Sequence, residues 1–367
     1  MEKMLTKRSF FRIVFIFVAT VVLAASAFAD GTLFIGTDEE DFLGILPDRL
    51  GKFATTGPVI GPGAIIPLDY PLNGMANGGG FLYAGDALSS QLRTIDYNGN
   101  LLTDILAGFA SGCCNEEMVV AIGSEIVGTG TLFHAHFLPG GGTIDLIDPI
   151  TGAIVTSYAQ DEVVGMTRVG TDIWISKWSL QQVGTWVPAT NTFTPVFNTV
   201  TNAGGLAYDL NSNVLWVGRQ GGWVGPFDLL GNPLGPEFQP FGPIADTIDG
   251  LELVCAPTVT GASASPSVLW PPNHKMADVT VDYTAQSCGG TTTCVLSVSS
   301  NEPVNGLGDG NTSPDWEVVD ATHVSLRAER SGTGTGRIYT ITITCTDQLG
   351  QTGEATVEVT VPHDQRP

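Results

Sequence analysis

Residues Gly205–Gln239 read GLAYD, NVLWVGR, WVGPFDLLGN and PLGPEFQ, four short runs separated by Gly, Asn and Pro. Within each run apolar and polar residues alternate. A period of two bounded by turn residues predicts strands, and four in succession predict one four-stranded antiparallel sheet. The same order of runs recurs along the chain. The first strand of each repeat has a short core: Gly74-Met75-Ala76, Glu117-Met118-Val119, Gly165-Met166-Thr167, Gly205-Leu206-Ala207 and Gly250-Leu251-Glu252. The Met and Leu positions are 43, 48, 40 and 45 residues apart. Four-stranded units at this period close radially. The prediction is an all-β chain whose residues 30–255 form a five-bladed β-propeller, with a repetitive sandwich or an open solenoid as the competing architecture.

Further strands follow the same spacing. Second strands are predicted at FLYAG (Phe81–Gly85), EIVGTG (Glu125–Gly130), DIWISK (Asp172–Lys177) and VLWVGR (Val214–Arg219). Third strands end in DYNGN, DPITG, VPATN and DLLGN, around Gly99, Gly152, Asn191 and Gly231. Such turns require a positive φ, which Gly and Asn supply. The fifth repeat stops after Leu251–Val254. Its second strand is predicted at Thr32–Thr37, its third near Arg49–Thr56 and its fourth after Pro58. One blade is thus built from both termini of the domain, which removes exposed sheet edges.

The first 29 residues read as a signal peptide. Lys3, Lys7, Arg8 and Arg12 precede the apolar run Ile13–Ala25, and Ala27-Phe28-Ala29 fits an A-x-A cleavage site. Removal shifts the formal net charge from −22 to about −25. So acidic a surface argues against nucleic acid and anionic membranes as partners, and it admits divalent cations. No second apolar stretch follows, so no membrane span remains after cleavage. The chain is expected to be a secreted or periplasmic monomer.

An exported chain with six cysteines predicts disulfides. Cys113 and Cys114 are alone in the repeat region, so a vicinal Cys113–Cys114 bridge is predicted, against the alternative of two buried thiols. Adjacent Cα atoms lie about 3.8 Å apart, below the usual disulfide span, and strain of this sort gathers at ligand sites. The remaining four allow three connectivities. Cys255 precedes one strand and Cys288 ends the next, while Cys294 opens a strand and Cys345 closes a later one. Cys255–Cys288 and Cys294–Cys345 follow.

After Cys255 the repeat is lost. Residues 256–367 carry the β-rich runs MADVTVDY, CVLSVSS, THVSLRAER, RIYTITITCTD and ATVEVTVP. About seven short strands in this length predict an immunoglobulin-like β-sandwich. The motifs VLWPPNHKM (Val268–Met276), SNEPV (Ser300–Val304), RAERSGTGTGRIYTITITCTD (Arg327–Asp347) and VPHDQ resemble hyalin-repeat and PKD-like modules of secreted bacterial proteins. That resemblance implies an accessory extracellular module without catalysis of its own. The repeat region resembles exported propellers of the NHL and YVTN type, on repeat pattern alone.

In a propeller, the loops entering each first strand share one face with the loops linking second to third strands. The entering loops hold Asp69, the run Cys113, Cys114, Asn115, Glu116 and Glu117, then Asp161, Glu162, Asp246 and Asp249. The other set holds Asp38–Asp41, Asp86, His134, His136, Trp178, Arg219 and Trp223. Carboxylates suit hard cations, and exposed aromatic rings stack on sugars or apolar ligands. His134 and His136 share one side of an extended segment; a transition-metal site there needs further ligands, such as Glu116 or Cys113. In the C-terminal region Asp309, Asn311 and Asp315, with Glu302 and Asp347, are the candidates for calcium, against a solvated turn.

No G-x-S-x-G, H-E-x-x-H, P-loop or dinucleotide fingerprint is present. The expected function is non-enzymatic binding of an extracellular carbohydrate or protein at the acidic loop face, with no cofactor required. The alternative is a polysaccharide hydrolase or lyase using a carboxylate pair on that face.

Overall fold

Alternating sequences of this kind leave half of each strand's side chains to be covered, and seven small antiparallel sheets cover them in the computed structural model. It describes residues 31–36, 49–70, 72–78, 80–85, 90–108, 115–120, 132–137, 141–244, 247–287, 291–304, 313–347 and 351–364. Among them there is no α-helix, and no helix is long and apolar enough to cross a membrane.

Strands β1 (Gly31–Gly36), β2 (Arg49–Thr56) and β3 (Val59–Pro67) are consecutive in one sheet. Its remaining strand, β19 (Gly250–Val254), comes from more than 180 residues further along. The register is Thr32↔Val254, Leu33↔Leu253, Phe34↔Glu252, Ile35↔Leu251 and Gly36↔Gly250, the pairing that the split fifth repeat predicts. We call this the fifth sheet.

The first sheet is β4 (Met75–Asn77), β5 (Leu82–Gly85), β6 (Gln91–Ile95) and β7 (Leu101–Leu106). The second is β8 (Asn115–Val120), β9 (Leu132–His136), β10 (Thr143–Ile147) and β11 (Ile154–Ala159). The third is β12 (Val163–Val169), β13 (Asp172–Lys177), β14 (Gln182–Val187) and β15 (Thr192–Asn198). The fourth is β16 (Ala203–Asp209), β17 (Val214–Arg219) and β18 (Trp223–Phe227).

Each sheet buries one face against the sheet before it and the other against the sheet after. Ala76, Leu92, Met118 and Leu132 join the first sheet to the second, and Phe133, Ile144, Met166 and Trp186 join the second to the third. Trp174, Val183, Leu206 and Leu215 join the third to the fourth; Trp216, Val224, Leu33 and Ile35 join the fourth to the fifth. Phe34, Leu50, Met75 and Leu82 join the fifth to the first. Burial of each large apolar side chain here contributes roughly 1.5–3 kcal/mol. The first strands touch in the same sequence: β4 on β8, β8 on β12, β12 on β16, β16 on β19 and β19 on β4.

The recurrent Gly of the first strands has a steric cause. A Cβ on Gly165 would lie 2.2 Å from the Gly204 carbonyl oxygen, and one on Gly250 would lie 1.8 Å from that of Asn73. The neighbouring sheet's backbone occupies the space of a side chain. The hairpin turns between third and fourth strands carry the expected left-handed residues: Gly99 at φ 80°, Gly152 at 71°, Asn191 at 51° and Gly231 at 85°. Asp96, Asp148 and Asp228 stabilise three of these turns by accepting backbone N–H bonds from Asn98, Ile150 and Leu230.

Two expectations are corrected. The run PLGPEFQ pairs with β18 only through isolated bridges, Val224↔Phe238 and Phe227↔Pro233. Pro233 and Pro236 lack the N–H a ladder needs. In the second sheet the second strand is Leu132–His136; Glu125–Gly130 lies outside the described residues.

After Cys255 the described residues form seven strands. One sheet is β20 (Thr258–Ser265), β21 (Met276–Gln286), β24 (His323–Arg327) and β23 (Trp316–Val318); the other is β22 (Thr293–Ser300), β25 (Gly336–Thr346) and β26 (Thr352–Pro362). Both contribute to one core, with Val279, Val281 and Leu326 meeting Ile341, Ile343 and Val359. Cys294 and Cys345 are register partners and disulfide-bonded, the second of the predicted pairs. Cys255 is also disulfide-bonded; Cys288, Cys113 and Cys114 lie outside the described residues.

Candidate functional site

In an antiparallel hairpin the start of one strand adjoins the end of the next. The predicted loop residues are therefore neighbours within each sheet. The Trp178 N–H donates to the Glu162 carbonyl (2.9 Å), Gln220 N–H to Asn202 (3.1 Å) and Asn73 N–H to Gly85 (2.7 Å). Asn115 pairs with His136 and Gly250 with Gly36.

Trp178 links these ends across sheets. Its indole Nε1 donates to Thr247 Oγ1 of the segment entering the fifth sheet, at 3.1 Å. Its ring meets Phe137, just past β9 of the second sheet, edge-on with centroids 5.9 Å apart. A half-buried tryptophan of the third sheet thus touches the second and the fifth. Trp223, at the opening of β18, is 38% exposed. Asp69 is exposed on the bend before β4, and Asp249 is buried just ahead of β19.

Other candidates are occupied with local structure. Glu162 accepts a hydrogen bond from Ser179, and the Asp161 carbonyl accepts one from Lys177. Lys177, which the sequence reading passed over, is buried beneath this end and also donates to Gln160 Oε1 (2.9 Å). Burial lowers its ammonium to about 8, against the upward pull of Asp161 and Glu162. Arg219 is buried, paired with Glu237 and bonded to Thr201 (3.2 Å).

His134 and His136 lie on β9 itself, not in a loop. His134 is fully buried and faces Asp145 across the sheet. Burial, with His136 nearby, lowers its imidazole to about 3, so it is neutral at physiological pH. Asn115 and Glu116 open β8. Among the described residues no group of three His, Cys, Asp or Glu side chains is placed to hold a metal. Asp86 and Asp246 lie outside the described residues, as do Asp309 and Asn311.

The C-terminal carboxylates have structural partners. Fully buried Arg337 bonds Asp315 Oδ2 at 2.7 Å, Glu302 Oε2 at 3.3 Å and the Tyr339 hydroxyl at 3.1 Å. Asp347 accepts from Ser287 (2.7 Å) and from the Gln351 N–H (2.9 Å), closing a turn. Buried charges paired in this way are a cost offset by geometry; two carboxylates read as metal candidates neutralise an arginine. The LWPPNHK segment has a comparable role: Arg327 donates to the His274 carbonyl (2.7 Å), and His274 Nδ1 lies 2.9 Å from Glu329.

No protein-family model and no curated protein matches the chain. The solved structure of U3-55K is similar at 12% identity, with 55% of this chain and 59% of that chain covered and a TM-score of 0.33.

Proposed function

We propose that the chain is a secreted, non-enzymatic binding protein. Residues 1–29 are its signal peptide and 30–255 a five-bladed β-propeller. Residues 256–367 are an accessory immunoglobulin-like sandwich resembling hyalin-repeat and PKD-like modules. The propeller reading is supported by the five clusters that join each repeat sheet to the next, the fifth to the first included. The disulfide Cys294–Cys345 accords with an oxidising compartment.

The observation that carries the binding reading is Trp178, set between Phe137 and Thr247 where the strand ends of three sheets meet. With the exposed Trp223 it offers aromatic surface among polar strand ends. Rings so placed stack on sugar faces, and an acidic protein repels acidic polymers. An extracellular neutral polysaccharide is the ligand class this favours. Affinity electrophoresis of the mature chain in gels containing single neutral or acidic polysaccharides, with and without calcium, tests it. Retardation by a neutral polymer is expected; uniform mobility in every gel overturns it.

A further inference from the structure

A cleft of about 470 Å³ opens at the other end of the sheets, where the repeat region meets the C-terminal strands. Thr32 and Val254, which line it, are paired at the end of β1 and β19 opposite to Gly36 and Gly250. Tyr97, from the turn between β6 and β7, forms one wall, and Gln351 and Thr352, leading into β26, form the other. Its size falls within the range of small-molecule sites, about 300–1,000 Å³, and such sites favour domain junctions.

Its polar groups are specific. The Tyr97 hydroxyl donates to Asn77 Oδ1 (2.9 Å) and accepts from the Gly80 N–H (2.9 Å) and from Gln351 Nε2 (3.0 Å). Its hydrogen-bonding capacity is used up. Gln351 Oε1 is buried and has no hydrogen-bond partner among the described residues. A buried amide oxygen in that state is costly and calls for a donor. Turned the other way, the same amide presents a donor in place of the acceptor, and a hydroxyl group satisfies either. Thr32, Thr258 and Thr352 line the remainder, together with Pro257 and Val254. Among the described residues no Lys, Arg, Asp or Glu lines the cleft, so an anionic ligand would meet no cation there.

We propose that this cleft is a second binding site, for a small neutral polyhydroxylated molecule the size of a mono- or disaccharide. Its hydroxyl bonds the Gln351 amide once that amide turns toward the cleft, its other hydroxyls meet the threonines, and its apolar face lies on Pro257 and Val254. Because both groups of strands supply the walls, occupancy holds the C-terminal strands against the end of the sheets remote from Trp178. The site stands independently of any ligand at the loop end.

The test uses the full mature chain with glucose, galactose, mannose, N-acetylglucosamine and their β-linked dimers as probes, read by saturation-transfer NMR and calorimetry. Saturable binding of at least one probe is expected. In a Trp178→Ala, Trp223→Ala background, which removes the rings of the loop end, binding should persist, and adding Gln351→Leu or Thr258→Val should each weaken it about tenfold. Thr258→Val preserves the Tyr97–Gln351 bond, so it remains informative if Gln351→Leu loosens the junction. Absence of saturable binding up to millimolar sugar overturns the proposal and leaves the cleft to water. Binding in that background that survives both cleft variants overturns it as well, and binding lost on replacing the two tryptophans moves the sugar to the loop end.

Discussion

Replacing Glu252 with Gln is expected to remove much of the fall in stability between acid and mildly alkaline pH. Glu252 stands on β19, opposite Phe34, where the fifth sheet packs on the first. Its carboxyl accepts a hydrogen bond from the Asn77 N–H at 3.1 Å. The side chain keeps a little accessible surface yet lies deep in the seam. Burial raises its pKa from 4.5 to about 8, against the lowering effect of the Asn77 and Leu253 backbone bonds. Below the unfolded value both states hold the proton and nothing is lost. Between the two values the unfolded chain releases a proton that the folded chain retains. Stability then falls by about 1.4 kcal/mol per pH unit, reaching a loss of about 5 kcal/mol above the folded value. That is a large share of a typical domain's 5–15 kcal/mol, about. Gln keeps the acceptor and does not ionise. Urea denaturation of both proteins from about pH 5 to about pH 8.5 isolates the effect, since every other charge is shared. The variant should gain on the wild type steadily with pH. Parallel stability curves across that range would refute the buried, protonated carboxyl.

Gly250→Ala forces a Cβ against the Asn73 carbonyl; a loss of about 1–3 kcal/mol or more is expected, read as a lowered denaturation midpoint. Arg337→Met leaves buried Asp315 and Glu302 without their cation; calorimetry should show a loss of about 3–5 kcal/mol, partly recovered by adding Asp315→Asn. Cys294→Ala with Cys345→Ala opens a 51-residue separation. The chain-entropy estimate is about 4 kcal/mol, measured against wild type in non-reducing urea titrations.

Much of the fold was legible because its periodicity has local causes. The Gly before Met166 and Leu251 marks where another sheet's backbone leaves no room for a Cβ. The Gly and Asn turns mark positive φ, which side-chain chemistry restricts. The site was less legible. The repeat spacing puts the second strand of the second repeat at Glu125–Gly130 and so His134 and His136 in a loop, whereas the strand is Leu132–His136. The echo of Thr32-Leu33-Phe34 in Thr131-Leu132-Phe133 would have placed them on a strand. Glu302 and Asp315 read as cation ligands because their partner, Arg337, is distant in sequence. Tyr97 and Gln351, which meet at the cleft, are 254 residues apart, and no local pattern links them.

The binding face is tested most directly by titrating the mature chain, and its Trp178→Ala, Trp223→Ala double variant, with a neutral polysaccharide that retards the wild type in a gel. The two rings contribute the aromatic surface at the loop end, so affinity should drop by at least about tenfold at a temperature where the double variant is still folded. Undiminished affinity in the double variant would contradict a ligand face built around Trp178.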